Sequence, residues 1–379
     1  MQLDHTKIEL VGVFPDKLLN RTYLPRELDK YHSIFTDAGL RSHTIETPVG
    51  LSPMASATAI HAMARLLRQE QPDVVHYHSS MAGAVGRLAT LAWRPHRIIY
   101  TPHLMYCLRT TGIRRTVFST IERILYPLTD TVIAVSDSEY HDIAELFGHT
   151  NKLTLIRNAV PVDAAGGMLQ GAGAELPKDL AHVSGKKIVL STARFDAQKD
   201  VPTLIHAAAI LAQERSDFAV LLAGDGEDRS AMAACIQEKN LDGIVHILGW
   251  RSDVPQLVAA CDVMVLSTHR EGLPYAMLEA MAMRKPVIGS DVPGVRECIE
   301  HGQSGFLFPC GDAQALANAL VLLFDDPALG HAMGIRAQEI VAQRFSPQRM
   351  ISALEAVYAG VPIASDVQSH TSVNPTGLR

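Results

Sequence analysis

Residues 263–282, VMVLSTHREGLPYAMLEAMA, are the stretch that says most about the fold. The apolar run Val263–Leu266 predicts a buried strand. Pro274 suits the first position of a helix, where its missing N–H needs no partner. The loop between them, with Gly272 in it, joins the carboxyl end of the strand to the amino end of the helix. A buried strand followed at once by a helix predicts one unit of a parallel sheet.

The same alternation of short apolar runs and amphipathic stretches recurs along the whole chain. The candidate strands are Ile8–Phe14, Val74–Tyr77, Ile98–Thr101, Thr131–Val135, Lys187–Ser191, Ala219–Ala223, Val245–Leu248, Val263–Leu266, Pro286–Gly289 and Gly305–Phe308. The candidate helices are Ala57–Gln69, Val117–Leu125, Val201–Gln213 and Ala313–Leu323. This order predicts the α/β fold class, with parallel sheets covered on both faces.

The length of 379 residues is typical of two domains. A glycine-rich stretch with few large apolar residues, 164–181, predicts a linker between them. We therefore predict one α/β domain over 1–160, a linker over 161–185 and a second α/β domain over 186–344. The chain should continue as a C-terminal helix over 345–361, returning to the first domain, and as a flexible tail over 362–379. The two domains are expected to face each other across a cleft, since open parallel sheets bind ligands at the carboxyl ends of their strands.

Composition excludes several classes of protein. Hydrophobic residues make up 47% of the chain and charged residues 20%, which excludes disorder, collagen and coiled coil as the main architecture. No apolar run approaches the roughly 18–20 residues that span a bilayer, and the start of the chain lacks the pattern of a signal peptide. The five cysteines are scattered without a C-x-x-C pair, so we expect no disulfide framework, no zinc site and a cytoplasmic location. The net charge of −6 argues against a general nucleic-acid binder.

The loop and helix at 271–279 carry groups suited to a sugar nucleotide. The amides from Gly272 to Tyr275, at a helix N-terminus, can bind a phosphate, and Gly272 lets it approach the backbone closely. Glu271 and Glu279 lie roughly 7–8 Å apart along the helix axis and can accept hydrogen bonds from hydroxyl pairs on either side of a diphosphate. The alternative is an ordinary helix start with an acidic residue and one surface glutamate.

A basic loop follows the candidate strand Lys187–Ser191. Arg194 and Lys199 lie in it and could neutralise a departing diphosphate, the first as a planar fork and the second as a point charge. Taken alone, such a loop is more often a solvated basic turn. A third loop after a strand, Gly224-Asp225-Gly226, is weak evidence by itself and more often marks a tight turn.

Together these segments resemble the second domain of the family 4 glycosyltransferases, which have the GT-B fold of two Rossmann-like domains. Residues 271–282 fit the family pattern E-G-x-P-x-x-x-L-E-A-M-A, and residues 194–200 fit R-x-x-x-x-K-D. The resemblance implies that Arg194 and Lys199 contact the diphosphate, Glu271 the donor hexose and Glu279 the ribose. Arg251, in a segment similar to the family loop under the nucleobase, would lie near the base. The implied donor-binding residues are Arg194, Lys199, Arg251, Glu271, Gly272, Leu273, Pro274, Tyr275, Leu278 and Glu279.

In the first half, histidines end two candidate strands. His76 and His78 share one side of a strand, but the sequence offers no clear third metal ligand, so we predict a structural role for His76. His78 and Ser79, at the strand end, could line an acceptor site. Thr101-Pro102-His103 resembles the strand-end histidine of the family, which lies close to the donor sugar and the acceptor. This implies a catalytic role for His103; the alternative is a satisfied histidine beside a proline turn.

Two departures from the family fall on the acceptor side and leave the acceptor's identity open. The segment Phe14–Arg21 lacks the family's glycine-rich loop, and Leu104 replaces the glycine that many relatives carry after T-P-H. Lys17 or Arg21 could instead meet an anionic group of the acceptor.

The segment 107–126 mixes basic and apolar residues, as an interfacial helix on anionic lipid does. Residues 1–158 hold 17 basic and 15 acidic side chains, whereas the remainder holds 17 and 25. The first half is therefore the one expected to approach something anionic, here the inner face of the cell membrane. A solvated helix packed on the first domain is the alternative.

These observations predict a retaining glycosyltransferase that moves a hexosyl group from a nucleoside-diphosphate sugar, most readily a UDP- or GDP-sugar, to a hydroxyl of a glycan or polyprenyl-diphosphate-linked acceptor. His103, Glu271, Arg194 and Lys199 are the predicted catalytic residues. We expect no tightly bound cofactor and no metal, because no D-x-D motif is evident. The alternatives are a hexosyltransferase with a small soluble acceptor, a sugar-nucleotide epimerase of the same fold and a non-catalytic binding module.

Overall fold

A computed structural model describes residues 8–18, 21–22, 25–46, 53–148, 151–162 and 175–363. The strands are β1 Val11–Pro15, β2 Lys17–Leu18, β3 Arg21–Thr22, β4 Arg41–Ile45, β5 Val74–His78, β6 Arg97–Thr101, β7 Thr131–Ala134, β8 Leu153–Leu155, β9 Lys187–Thr192, β10 Phe218–Ala223, β11 Val245–Gly249, β12 Val263–Leu266, β13 Val287–Ser290 and β14 Gly305–Phe308. The α-helices are α1 Pro25–Asp37, α2 Pro53–Glu70, α3 Ser80–Ala89, α4 Gly112–Leu125, α5 Asp137–Phe147, α6 Val201–Leu211, α7 Arg229–Glu238, α8 Val254–Ala260, α9 Tyr275–Ala282, α10 Pro293–Arg296, α11 Ala313–Asp325, α12 Pro327–Arg344 and α13 Pro347–Ala359.

The chain folds into two compact units. The first comprises Met1–Ala134, Tyr140–Ile156 and Ile351–Arg379, so the chain returns to it after the second unit. The second comprises Val135–Glu139 and Arg157–Met350. Among the described residues, no helix has the length and apolar character needed to cross a bilayer.

The second unit is built on a six-stranded parallel sheet with the order β11-β10-β9-β12-β13-β14. The four central strands β10, β9, β12 and β13 are buried on both faces, and each carries a run of apolar residues. Along β9, Ile188 and Leu190 pack into one hydrophobic core, whereas Val189 packs into the core on the other face. The strand order reverses direction between β9 and β12, and such a reversal is where doubly wound sheets bind their ligands.

The first unit contains a four-stranded parallel sheet with the order β5-β6-β7-β8. Here β5 pairs with β6 over its whole length, from Val74 opposite Arg97 to His78 opposite Thr101. A separate parallel pair joins β1 and β4, and the short strands β2 and β3 pair antiparallel. The carboxyl ends of β5 and β6 therefore lie side by side, which brings His78 next to the residues that follow Thr101.

The α/β prediction with parallel sheets is confirmed, and all ten candidate strands are present with ends shifted by no more than three residues. Four strands of the described chain escaped prediction. The antiparallel strands β2 and β3 have two residues each. Arg41–Ile45 is polar and pairs only with β1, and Leu153–Leu155 has just three residues, so neither forms a long apolar run. Helix α4 begins at Gly112, five residues before the predicted start.

Some predictions fall on residues outside the described part of the chain. Positions 163–174 of the predicted linker lie outside it, as do the tail from 364 and the side chains of Lys17 and Arg21. Further along the predicted linker, Lys178–Val183 forms a short 3-10 helix. Its Leu180 and Val183 are buried in a core of the second unit.

Candidate functional site

The candidate donor site lies where the loops after β9 and β12 meet. These strands are neighbours, with Val263 opposite Val189 and Met264 opposite Leu190. Residues 193–200 follow β9 and residues 267–274 follow β12, so both loops leave the same edge of the sheet at the point where the strand order reverses. The topology thereby brings together two segments that are about 70 residues apart in sequence.

An ion pair joins the two loops. Lys199 Nζ donates a hydrogen bond to Glu271 Oε1, and the Lys199 and Glu271 side chains are only 21% and 10% exposed. Partial burial shields the pair from water and salt, so it is stronger than a surface pair of the same geometry. Two groups that the sequence assigned to the diphosphate and the sugar therefore contact each other directly.

Arg194 lies in the same loop but pairs within it. Its Nε donates to Asp196 Oδ2 at 2.5 Å, and its side chain is 45% exposed. The other oxygen of Asp196 accepts from the backbone amides of Gln198 and Lys199, both at 3.1 Å. Asp196 thus fixes the turn that presents Lys199, while Arg194 keeps a solvent-accessible guanidinium.

Three polar side chains that the sequence reasoning missed position these loops. Gln198 donates from Nε2 to the carbonyl of Arg270 at 2.9 Å, and Thr268 donates from Oγ1 to the carbonyl of Gln198 at 3.0 Å. Ser290, at the end of β13, accepts from the amide of Thr268 at 2.9 Å. In the sequence, Thr268 and Ser290 stand out only as small polar residues at or just after the end of an apolar strand. Gln198 stands out only as an amide side chain in the loop that follows β9.

Helix α9 begins one residue later than predicted. Pro274 is extended, with φ −76° and ψ 111°, and its carbonyl accepts the first helical hydrogen bond, from Leu278. Tyr275 is the first helical residue, and its side chain is exposed. Glu279 lies on the exposed side of the helix, where partial desolvation raises the pKa of its carboxyl.

Of the implied donor-binding residues that have a side chain, three are buried, namely Leu273, Pro274 and Leu278. Leu273 and Leu278 belong to the same hydrophobic core. The carbonyl of Leu273 also accepts from the side-chain amide of the buried Asn158 at 3.0 Å. These contacts hold the loop and the start of helix α9 against the body of the unit.

Glycines allow neighbouring loops to pack tightly against the site. A Cβ on Gly224 would lie 1.8 Å from the carbonyl oxygen of Ala193, and one on Gly226 would lie 2.2 Å from that of Phe195. A Cβ on Gly294 would lie 2.1 Å from the carbonyl oxygen of Gly272. Since side chains cannot fit there, the glycines of the G-x-G segment serve loop-to-loop packing in this structure.

Arg251, after β11, pairs with two carboxylates. It donates to Asp253 from Nε at 2.8 Å and from Nη2 at 2.6 Å, and from Nη1 to Asp179 at 2.5 Å. The arginine holds the pKa of both carboxyls below their ordinary values. Its guanidinium is thus engaged in ion pairs within the second unit.

In the first unit, the ends of β5 and β6 bring His78 and His103 into contact. His78 Nδ1 lies 2.9 Å from His103 Nε2, and the two rings stack with centroids 5.2 Å apart. Although both side chains keep solvent-exposed edges, desolvation, followed by repulsion from His78, lowers the pKa of His103 to about 4. Desolvation also lowers the pKa of His78. Both imidazoles are therefore neutral near pH 7, and one donates to the other.

Three residues beside these histidines or among them have a positive φ. Ser79 has φ 75°, His103 φ 51° and Leu104 φ 76°, and none of them is a glycine. Such residues cost of order 1–3 kcal/mol each and cluster at functional sites. Glycine would adopt a positive φ at position 104 without strain, whereas leucine does not.

His76 is held within the fold of the first unit. Its Nε2 lies 2.7 Å from Thr101 Oγ1 and its Nδ1 lies 3.0 Å from the hydroxyl of Tyr358, in helix α13. Desolvation is the main cause that lowers its pKa well below the ordinary value. Both ring nitrogens thus have protein partners, as a structural role requires.

The sequence matches two protein families. Residues 174–340 match the family described as Glycosyl transferases group 1, and residues 20–164 match Glycosyltransferase Family 4. The second match ends at residue 164, where the glycine-rich stretch 164–181 begins, and the first begins within that stretch at residue 174.

Similar sequences come from bacterial glycosyltransferases. The chain is 27% identical over 299 residues to N-acetyl-alpha-D-glucosaminyl L-malate synthase of Bacillus anthracis, covering 79% of this chain and 77% of that protein. It is 25% identical over 332 residues to UDP-Gal:alpha-D-GlcNAc-diphosphoundecaprenol alpha-1,3-galactosyltransferase of Escherichia coli, covering 86% and 85%.

Solved structures resemble this one in fold. Anabaena HepE, in complex with UDP and glucose, superposes with a TM-score of 0.75 at 20% identity, covering 93% of this chain and all of that chain. Sucrose-phosphate synthase from Thermosynechococcus elongatus superposes with a TM-score of 0.71 at 19% identity, covering 93% and 99%. The predicted GT-B fold class is thereby confirmed.

Proposed function

The chain belongs to the family 4 glycosyltransferases, and we propose that it transfers a hexosyl group from a nucleoside-diphosphate sugar to an acceptor hydroxyl with retention at the anomeric carbon. The observation that carries the proposal is the partly buried ion pair between Lys199 and Glu271 at the reversal point of the second sheet. It places a cation and a hydroxyl-binding carboxylate beside the start of helix α9, where phosphate binding is favoured.

Each donor-binding group has a proposed task. Lys199 and the solvent-accessible Arg194 would neutralise the diphosphate, and the amides that begin helix α9 would bind its distal phosphate. Glu271, already oriented by Lys199, would accept hydrogen bonds from hexose hydroxyls, and Glu279 would do so from the ribose. Because these charges are held before the substrate arrives, they stabilise the departing diphosphate without reorganising in the transition state.

The proposed reaction needs no protein nucleophile. The bond between the anomeric carbon and the phosphate oxygen breaks, and the acceptor oxygen forms its bond to that carbon on the same face. The acceptor proton passes to the departing phosphate, so charge and atoms balance. We assign His78, Ser79 and His103 to the acceptor side, where a neutral His103 can donate to or accept from a sugar oxygen.

The assay for this proposal is donor turnover with matched variants. UDP-sugars come first, because HepE was crystallised with UDP and glucose and the similar E. coli enzyme uses UDP-Gal by its name. GDP-, ADP- and dTDP-sugars follow. We expect release of the nucleoside diphosphate with formation of an α-linked product from an α-linked donor, and near loss of both in Glu271→Ala and Lys199→Ala. Turnover at the wild-type level in either variant would refute the site. Interconversion of the sugar nucleotide without any acceptor would indicate an epimerase instead.

For the acceptor, we propose a lipid-linked glycan at a membrane surface. Helix α4 exposes Ile113, Val117, Ile121 and Ile124, which are 84%, 48%, 38% and 68% exposed. At 100° per residue these four side chains fall within an arc of about 80°, while Glu122, on the opposite face, is buried.

Two arginines of the same helix flank this apolar stripe. At 100° per residue Arg114 lies about 20° beyond one edge of the stripe and Arg123 about 80° beyond the other, whereas Arg115 lies on the opposite side of the helix. All three are exposed. A stripe of aliphatic side chains with basic neighbours is typical of helices that bind an anionic lipid surface. Each basic residue near such a surface contributes about 1 kcal/mol to the binding free energy. The E. coli relative is named for a diphosphoundecaprenol-linked acceptor and the Bacillus relative for L-malate, so relatives with both lipid-linked and small acceptors exist. The exposed stripe favours the first kind, and with it a role in polysaccharide or glycoconjugate synthesis.

Vesicle sedimentation tests the membrane contact. We expect the protein to sediment with vesicles of phosphatidylglycerol and phosphatidylcholine but not with phosphatidylcholine alone. The double variant Ile113→Glu/Ile124→Glu should lose this binding while keeping its nucleotide affinity. Leu322→Glu, which alters an exposed residue on helix α11 of the other unit, is the matched control and should bind like wild type. Equal binding of wild type and double variant would refute the lipid surface and leave a small soluble acceptor.

A further inference from the structure

Beside the donor loops, three side chains of metal-binding type converge from three different loops. Asp200 follows the β9 loop and precedes helix α6, His269 lies in the loop after β12, and Cys310 lies just after β14. One ligand atom from each lies within 4.8 Å of the other two. His269 lies between the other two side chains. Its Nδ1 is 2.9 Å from Cys310 Sγ and its Nε2 is 3.7 Å from Asp200 Oδ2, so only one of these two ring nitrogens would bind a shared ion.

Neighbouring groups hold each member of this cluster. Thr203 donates from Oγ1 to Asp200 Oδ2 at 2.7 Å, which orients the carboxylate. The backbone amide of His269 donates to the carbonyl of Gln198 at 2.9 Å, which fixes the start of the histidine side chain. The Cys310 thiol donates to the carbonyl of Thr268 at 3.6 Å, a contact that a metal-bound thiolate would give up. A hydrogen bond such as that from Thr203 to Asp200 orients a metal-binding carboxylate.

The chemistry of the three side chains selects the type of cation. A thiolate and an imidazole suit zinc and its neighbours among the transition metals, whereas magnesium and calcium prefer oxygen ligands alone. A tetrahedral zinc ion with bonds of about 2.0–2.3 Å places its ligand atoms roughly 3.3–3.6 Å apart. Closing the cluster from its present spacing therefore requires movements of only about 1 Å.

We propose that Asp200, His269 and Cys310 form a binding site for a divalent transition-metal ion, with Zn²⁺ as the expected ion and water as the fourth ligand. A site with three protein ligands and one water is ordinary zinc chemistry. Cys310 is solvent-exposed and so is the edge of His269, so an ion can enter directly from solution.

Such an ion would connect the donor loops. Asp200 directly follows Lys199, and His269 precedes Glu271 by two residues, so the metal would tie together the loops that hold this ion pair. Cys310 would add the segment after β14 as a third anchor. Metal binding is therefore expected to raise the melting temperature of the protein, because it stabilises the folded state in which the three loops are close. The site itself does not depend on the proposed transferase activity.

Cobalt substitution tests the proposal without any donor or acceptor. The full chain, without a histidine tag and freed of metal with a chelator, is titrated with Co²⁺. We expect one ion per chain, a thiolate-to-cobalt charge-transfer band in the near ultraviolet, and displacement of cobalt by Zn²⁺. Cys310→Ser should abolish the band, and His269→Ala and Asp200→Asn should each weaken binding by tenfold or more.

A second cysteine supplies the matched control. Cys235 Sγ lies 3.9 Å from His206 Nε2, so this pair offers a thiol and an imidazole. Within the part of the chain that the structure describes, no third side chain of metal-binding type joins the pair. Cys235→Ser should therefore keep both the charge-transfer band and the affinity.

Three results would overturn the proposal. It is wrong if wild type shows no stoichiometric binding, if the band survives in Cys310→Ser, or if Cys235→Ser loses it. Unchanged thermal unfolding of the metal-free variants shows that they are folded, so a lost band then reports the loss of a ligand.

Discussion

Replacing Lys199 by methionine removes the cation of the Lys199–Glu271 pair while keeping a side chain of similar length. The carboxylate of Glu271, only 10% exposed, is then left without its counter-ion. Surface pairs contribute about 0–1 kcal/mol, and breaking a fully buried pair costs about 3–5 kcal/mol. Since this pair is partly buried, we expect the free energy of unfolding to fall by about 2 kcal/mol.

The loss of transition-state stabilisation should be larger than the loss of folding stability. If Lys199 stabilises the departing diphosphate, its loss removes a preorganised charge from the transition state. Removing one such group typically costs about 2.7–4 kcal/mol, so kcat should fall by about 10²- to 10³-fold. Nucleotide affinity should fall as well, because the ground-state diphosphate carries the same charge.

Urea unfolding and steady-state kinetics measure the two effects separately. The double variant Lys199→Met/Glu271→Gln has no unpaired carboxylate, so it should recover part of the lost stability while remaining inactive. Lys187→Met is the matched control. Lys187 begins β9 and lies 3.9 Å from Asp262, so it is at the opposite end of the strand from the site.

Two results would refute this reasoning. Turnover of Lys199→Met within about threefold of wild type, which corresponds to less than about 1 kcal/mol, would show that the lysine does not stabilise the transition state. Equal losses of activity in Lys199→Met and Lys187→Met would show that the effect is general destabilisation or loss of positive charge.

Three further predictions concern Gly294 and Glu279 at the donor site and His103 on the acceptor side. Gly294→Ala should lower both stability and turnover, because its Cβ would meet the Gly272 carbonyl, whereas Gly243→Ala, with nothing within 4 Å, should change neither. Glu279→Ala should raise the donor KM about tenfold to a hundredfold, because a hydrogen bond to a charged group contributes about 1.5–3 kcal/mol of binding free energy. Because the pKa of His103 is about 4 against an ordinary 6.5, the unfolded chain binds more protons between these pH values. The free energy of unfolding should therefore fall as pH drops through this window, and less steeply in His103→Gln.

Strands buried on both faces were the most predictable elements. Val263–Leu266 is apolar throughout and Lys187–Thr192 is apolar at its three central positions 188–190, because the centre of the parallel sheet in the second unit leaves neither face to water. Arg41–Ile45 was missed for the opposite reason, since a polar strand with one partner carries no such run.

The cluster of Asp200, His269 and Cys310 could not be predicted from local sequence patterns. Cys310 follows His269 by 41 residues and no local spacing connects them, so the sequence predicted no zinc site. Their proximity follows from the pairing of β12, β13 and β14, which places the ends of these strands along one edge of the sheet. The contact of His78 with His103 arises in the same way from the pairing of β5 with β6.

The sequence by itself determined which loops carry the chemistry of this protein, because a strand, a glycine and a helix start are set by neighbouring residues. It placed Glu271 at the start of one helix and Lys199 in a basic loop. Only the tertiary structure decided that these side chains, 72 residues apart, form an ion pair. The pairing of β9 with β12 depends on the burial of both faces of a six-stranded sheet, which no short segment of the chain can specify.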